Sequence, residues 1–131
     1  MTDFPTVAVV DDDGAVREAL CDLLMVADLG CQLFEGAEPF VEALRAKAFD
    51  CLITDIRMPG MDGMALIEHL SHTRPELPVI VVSSVMDKHM RGRAELMGVR
   101  YWLGKPVSDT QLIAALESEF NGRWRSGVGT A

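Results

Sequence analysis

The sequence predicts an α/β domain: a five-stranded parallel sheet in the order 2-1-3-4-5, doubly wound and flanked by five helices. Three observations carry this expectation. Five short apolar, β-favouring runs alternate with five stretches whose apolar residues recur at helical spacing. Short loops join them, and strand–helix–strand units so connected wind right-handedly into a parallel sheet covered on both faces. Four of the five predicted strands also end in polar residues, at the edge where open α/β sheets bind ligands.

Each element has its own signal. Thr6–Val10 is an apolar strand ending in Asp11-Asp12-Asp13-Gly14, after which Val16, Ala19, Leu20, Leu23, Leu24 and Ala27 mark a helix closed by Gly30. Asp13 is expected to cap that helix. Cys31–Phe34 is the second strand. The second helix opens at Ala37-Glu38-Pro39, with an apolar face of Phe40, Val41, Leu44 and Ala48 and proline in the first turn, where its missing donor is harmless. Asp50–Thr54 forms the third strand, closed by Asp55 and a Pro59-Gly60 loop with a second glycine at Gly63. The third helix gathers Met64, Leu66, Ile67 and Leu70 on one side and ends near Thr73, before Pro75. Val79–Val82 is a β-branched fourth strand running into Ser83-Ser84. Asp87 caps a fourth helix bearing Met90, Ala94 and Met97, which Gly98 stops. Val99–Leu103 is the fifth strand, and Ser108 caps the last helix, with Leu112, Ile113, Ala115, Leu116 and Phe120 on its buried side. Residues 1–121 are expected to form one domain and residues 122–131 a flexible tail or linker remnant.

Bulk properties narrow the class. At 131 residues, 49% apolar and 24% charged, the chain has the size and composition of one globular domain. No apolar run approaches the roughly 20 residues of a spanning helix, and the start lacks a signal peptide's pattern, so a cytoplasmic protein without membrane contact is expected. A net charge of -8 repels a nucleic acid backbone, so no direct nucleic acid binding is expected, whereas a divalent cation or a basic partner surface suits it. Cys21, Cys31 and Cys51 share no metal-type spacing and read as reduced core thiols. A dinucleotide-binding fingerprint and a Walker-type lysine loop are both missing.

The polar residues at the strand ends differ in chemical type: Asp11 with Asp12, then Asp55, Ser83 and Lys105. In the order 2-1-3-4-5 the first and third strands are neighbours at about 4.8 Å, so their carboxylates repel by about 4 kcal/mol at close range in an intermediate dielectric. A cation relieves this. Hard oxygen ligands favour Mg²⁺, with Asp12, Asp55 and the backbone carbonyl of Arg57 as protein ligands and Asp11 near enough to hold a bound water. A metal beside a carboxylate, a hydroxyl and an ammonium forms a phosphoryl-transfer site, because that chemistry needs mainly alignment and charge neutralisation. Asp55 would be the nucleophile, Ser83 a donor to one phosphoryl oxygen and Lys105 the partner of another.

On the stretches VVDDD, TDIRMPGMDG, VVSS and GKP, in that order between Val7 and Phe120, the chain resembles the CheY-like receiver domains of two-component response regulators. The resemblance implies a flavodoxin-like fold and phosphorylation of Asp55 by a sensor histidine kinase or phosphotransfer protein. It also implies Mg²⁺ held by Asp11 and Asp12, and Ser83 and Lys105 reading the phosphorylated state. Self-catalysed phosphorylation and dephosphorylation would be the sole chemistry. Output, and a homodimer contact, would fall on the fourth helix, fifth strand and fifth helix. Ser83 stands where threonine is usual. Trp102 stands where members usually carry a tyrosine or phenylalanine that swings inward when the hydroxyl residue moves, and an indole is bulkier than that ring.

Two other functions fit parts of the sequence. Asp11-Asp12-Asp13-Gly14 resembles the D-x-D-G-T opening of haloacid-dehalogenase-type phosphatases, with Asp11 as nucleophile and Asp13 as acid, but Ala15 stands where that family has threonine. An unphosphorylated adaptor would use only the receiver surface. His69 and His72, three apart near a helix end, suit the helix carboxyl terminus better than a metal. Tyr101 and Trp102 are consecutive in a strand and so face opposite ways, making one a candidate for exposure.

Overall fold

The computed structural model describes residues 5–120. Five strands, β1 (Thr6–Val10), β2 (Gly30–Phe34), β3 (Cys51–Thr54), β4 (Val79–Ser83) and β5 (Tyr101–Gly104), form one parallel sheet in the order β2-β1-β3-β4-β5. Between and after them run α1 (Gly14–Val26), α2 (Ala37–Leu44), α3 (Gly63–Thr73), α4 (Lys88–Leu96) and α5 (Asp109–Phe120). The strand order and helix number are those expected from the sequence.

Side-chain alternation along the strands divides the interior into two cores. Ala8, Val10, Leu52, Val79, Val81 and Trp102 point to the face covered by α2, α3 and α4, where they meet Phe40, Leu66, Ile67, Leu70 and Ala94. Val7, Val9, Cys51, Ile53, Ile80 and Val82 point the other way, onto Leu20 and Leu24 of α1 and Leu112, Leu116 and Phe120 of α5. Strands buried on both faces read as continuous apolar runs, which is why β1, β3 and β4 stand out in the sequence.

The expected caps form. Asp13 accepts from the Ala15 N–H and Asp87 from both His89 and Met90, while Asp62, not foreseen from the sequence, caps α3 by accepting from Ala65. The amide of Gln111 donates to Ser108 Oγ ahead of α5, and Gly98 turns the chain after α4 at φ 101°.

Several local expectations are corrected. α1 ends at Val26 rather than at Gly30, because Asp28 takes the left-handed conformation at φ 65° that aspartate tolerates better than most residues. Gly30 is already in β2. α2 stops at Leu44, so Ala48 lies outside it and exposed; Phe49 fills the core position instead, stacked edge-on to Phe34. β3 begins at Cys51, and Asp50 uses its carboxylate to hold the Thr6 N–H at 2.8 Å. β5 begins at Tyr101, since the Val99 amide still closes α4 by bonding to the Ala94 carbonyl. Of the three cysteines, Cys51 alone is a core thiol; Cys21 and Cys31 are half-buried. The tail expected over residues 122–131 lies outside the described residues. Among the described residues no helix is long and apolar enough to cross a membrane.

Candidate functional site

The carboxyl ends of β1, β3, β4 and β5 deliver the site. The Asp55 N–H donates to the Val10 carbonyl and the Lys105 N–H to the Ser83 carbonyl, so hydrogen bonding continues past each strand end and fixes the acids side by side. Asp11, Asp12 and Asp55 each bring a carboxylate oxygen within 4.8 Å of the others. Asp11 and Asp55 are 2% and 8% exposed, while Asp12 faces solvent.

Each buried carboxylate is held at both oxygens. Asp55 accepts from the Ile56 N–H at 2.7 Å and from Lys105 Nζ at 3.0 Å. Asp11 accepts from the Asp13 N–H at 2.9 Å and from Lys105 Nζ at 2.9 Å. One ammonium therefore bridges two carboxylates. Burial alone would lower the Lys105 pKa, but its hydrogen bonds and charge contacts with Asp11 and Asp55 outweigh that and raise it above the ordinary lysine value. Three carboxylates against one ammonium leave two negative charges at the edge of the sheet. That donor set, hard oxygens with solvent access through Asp12, fits a divalent oxygen-seeking cation. The lysine stem comes from Gly104-Lys105-Pro106, whose Lys105–Pro106 peptide is cis.

Ser83 is fully buried, and its Oγ accepts the Val85 N–H at 3.0 Å. Trp102 is buried too, at 7% exposure, with its indole N–H donating to the Val85 carbonyl at 3.0 Å. The indole is thus buried in spite of its bulk. Tyr101 is half-buried on the opposite face, so neither ring of the pair is exposed. Arg57 is exposed. His69 and His72 join no cluster of metal-ligating groups among the described residues. Asp13, the acid required by a dehalogenase-type reaction, spends its carboxylate on the Ala15 N–H at the start of α1.

Four further residues support the site. Arg17 donates to the Asp11 carbonyl at 2.7 Å, one turn into α1. Thr54, fully buried, donates its hydroxyl to the Asp55 carbonyl at 2.9 Å. Glu38 reaches from α2 to accept the Met61 N–H at 2.9 Å, and that bond lowers its pKa. Gly63 donates to the Ile56 carbonyl at 2.8 Å and lies so close to the strand end that a Cβ there would meet the Asp55 carbonyl oxygen at 2.2 Å. Only Gly63 leaves a sequence signal: a glycine entering a helix beyond a strand marks a close backbone approach.

Comparison with known proteins fits this geometry. The FixJ transcriptional regulatory protein of Bradyrhizobium diazoefficiens is 35% identical over 118 residues, covering 90% of this chain and 58% of FixJ. The DNA-binding transcriptional regulator NtrC of Escherichia coli is 40% identical over 109 residues, covering 83% of this chain and 23% of NtrC. The chain therefore spans little more than half of one relative and under a quarter of the other. A crystal structure of a response regulator receiver protein from Pseudomonas putida matches with a TM-score of 0.85 at 31% identity, over 90% of this chain and 99% of that one. The family model for the response regulator receiver domain covers residues 7–117, and on that match, with the acid pocket at its sheet edge, the chain belongs to the receiver domains of two-component response regulators.

Proposed function

We propose that Asp55 is the phosphoacceptor, taking a phosphoryl group from a sensor histidine kinase or phosphotransfer protein in a Mg²⁺-dependent reaction. The observation that carries this reading is the Lys105 ammonium bridging Asp11 and Asp55 beside a solvent-facing Asp12. Asp55 is fixed in orientation by the Ile56 N–H and Lys105, as a nucleophile must be for in-line attack. Asp11, Asp12, Asp55 and the Arg57 carbonyl would hold the metal. When bound, Mg²⁺ would supply charge neutralisation for the acids and the incoming phosphoryl group. Lys105 then exchanges Asp55 for a phosphoryl oxygen, and Ser83 turns its hydroxyl toward another. The chain catalyses only its own phosphorylation and dephosphorylation.

An apolar groove of about 440 Å³, lined by Ala15, Val16, Ala19, Leu20, Val82, Pro106 and Val107, opens beside Lys105 and suits a docking phosphodonor protein. On the far side of the site, Ser83 and Trp102 share Val85, so withdrawal of the Ser83 hydroxyl frees the amide of the residue whose carbonyl holds the indole. That coupling leads toward α4, where Met86 in the preceding loop and Leu96 at the helix end are exposed and apolar, and supports output or homodimer contact through α4, β5 and α5. The net negative charge assigns nucleic acid binding, if the parent protein has it, to another domain.

Incubation with a small phosphodonor and Mg²⁺, followed by intact-mass analysis, tests the reading. One added phosphoryl group is expected, lost on chelation of Mg²⁺ during the reaction and in Asp55→Asn. Labelling that survives Asp55→Asn overturns Asp55 as acceptor, and no labelling of the wild type favours the adaptor.

A further inference from the structure

The loop between β3 and α3 carries Arg57, whose backbone carbonyl is the one expected metal ligand that is not a carboxylate. The ends of this loop are well held: the Asp55 N–H bonds to the Val10 carbonyl, the Gly63 N–H bonds to the Ile56 carbonyl, and Ile56 and Met58 are buried in the core. The tip has less support. Arg57, Pro59 and Gly60 are exposed, and Gly60 stands at φ 76°. Among the described residues, one hydrogen bond ties the segment from Arg57 to Met61 to the rest of the fold: the Met61 N–H donates to Glu38 Oε2 at 2.9 Å. Glu38 lies 23 positions earlier, in the first turn of α2, beside Ala37 and near Phe40, both fully buried. Its carboxylate also fills the space next to Gly60, where a Cβ would meet Oε2 at 2.7 Å. Glu38 therefore lies against two consecutive residues of the tip, from an element anchored in the core.

We propose that Glu38 is a positioning residue of the metal site, bracing the β3–α3 loop from α2 so that the Arg57 carbonyl is held in place for the divalent cation. The inference rests on the proposed Mg²⁺ site and adds the residue that pre-forms it. An oxygen ligand on a free loop must be ordered when the cation arrives, and that ordering weakens binding; a loop ordered beforehand binds more tightly. Partners that stand behind the ligands of a metal site act in this way. Helix stabilisation alone does not call for the contact, since an acid in a first turn favours its helix without an amide partner outside it. What the loop needs from position 38 is an acceptor oxygen rather than a charge. Glutamine supplies that oxygen on a side chain of the same length, and alanine does not.

Calorimetric titration of Mg²⁺ into wild type, Glu38→Ala and Glu38→Gln tests the inference, together with amide hydrogen exchange of the β3–α3 loop in metal-free protein. Glu38→Ala should weaken Mg²⁺ binding about fivefold, the effect of one hydrogen bond of ordinary strength on an equilibrium, and quicken exchange at Met61. Glu38→Gln, which keeps the acceptor, should stay within about twofold of wild type in affinity and retain the protection. With a small phosphodonor, the Mg²⁺ concentration that gives half the maximal rate should rise in Glu38→Ala while the rate at saturating Mg²⁺ is kept, because Asp55 and Lys105 stay where they are. Binding by Glu38→Ala as tight as wild type overturns the proposal, and so does Glu38→Gln as weak as Glu38→Ala, which would assign the effect to charge. A lower saturated rate at unchanged Mg²⁺ affinity would make Glu38 a general structural residue and overturn it as well. Wild type that takes up no Mg²⁺ would overturn the metal-site reading itself, and the brace with it.

Discussion

Gly63→Ala puts the geometry of the acid pocket to the hardest test. The added Cβ would sit 2.2 Å from the Asp55 carbonyl oxygen and 2.7 Å from Ile56 Cα, both backbone atoms, whereas ordinary contact begins at 3.4 Å. The shortfall is 1.2 Å at the oxygen, the difference between 3.4 and 2.2. No side chain can absorb it. Either Gly63 retreats and its bond to the Ile56 carbonyl breaks, or the end of β3 moves and the Asp55 N–H loses the Val10 carbonyl. Overpacking costs about 1–3 kcal/mol and a lost buried backbone hydrogen bond about 1–3 more, so a loss of about 2–6 kcal/mol is expected. That is a large share of the stability of a small domain. Urea denaturation measures the loss, and the rate of phosphoryl uptake from a small donor should fall with it, because Asp55 rides on the displaced backbone. Gly60→Ala is the control: its Cβ meets the flexible end of Glu38, so the cost is that of holding alanine at φ 76°, about 1–2 kcal/mol, plus the exposed bond from the Met61 N–H to Glu38 that must shift. A Gly63→Ala protein within about 0.5 kcal/mol of wild type, the scale of a neutral surface substitution, would refute the argument.

Other perturbations have equally definite outcomes. Trp102→Phe removes the indole N–H that holds the Val85 carbonyl, so stability should fall by about 1–3 kcal/mol and hydrogen exchange in the β4–α4 loop should quicken; unchanged exchange would separate the indole from that loop. Lys105→Met leaves Asp11 and Asp55 facing each other unpaired, at a cost of about 1–3 kcal/mol after discounting for the partial exposure of the lysine. Added Mg²⁺ should raise the denaturation midpoint more in that variant than in wild type, and an equal rise would remove the carboxylates from the metal site. Because the folded pKa of Lys105 is raised, the stability it contributes is fully present below the ordinary lysine value of 10.5 and fades as pH climbs through the folded value. The stability difference between wild type and Lys105→Met should therefore hold level from pH 8 to 10 and shrink above it, and a difference that stays level well above the ordinary lysine value would contradict the ion pair.

Local patterns in the chain determined much of this architecture. Apolar runs, helical spacing and capping aspartates act over a few residues, so the five strands, the five helices and the caps at Asp13, Asp87 and Ser108 could be read directly. Because strand order places the ends of β1 and β3 together, Asp11, Asp12 and Asp55 could also be read as one acidic group. Tertiary structure alone decided what depends on distant partners. Lys105 reaches Asp11 across 94 positions of sequence, and the Trp102 indole reaches Val85 across 17. No periodicity encodes either contact. The end of α1 at Val26, before Asp28, and the exchange of Ala48 for Phe49 likewise follow from how the chain meets β2 and the neighbouring aromatic rings. Short-range propensity fixes which residues form each element; close packing between elements fixes which atoms touch, and in this domain those touches set the orientation of Asp55.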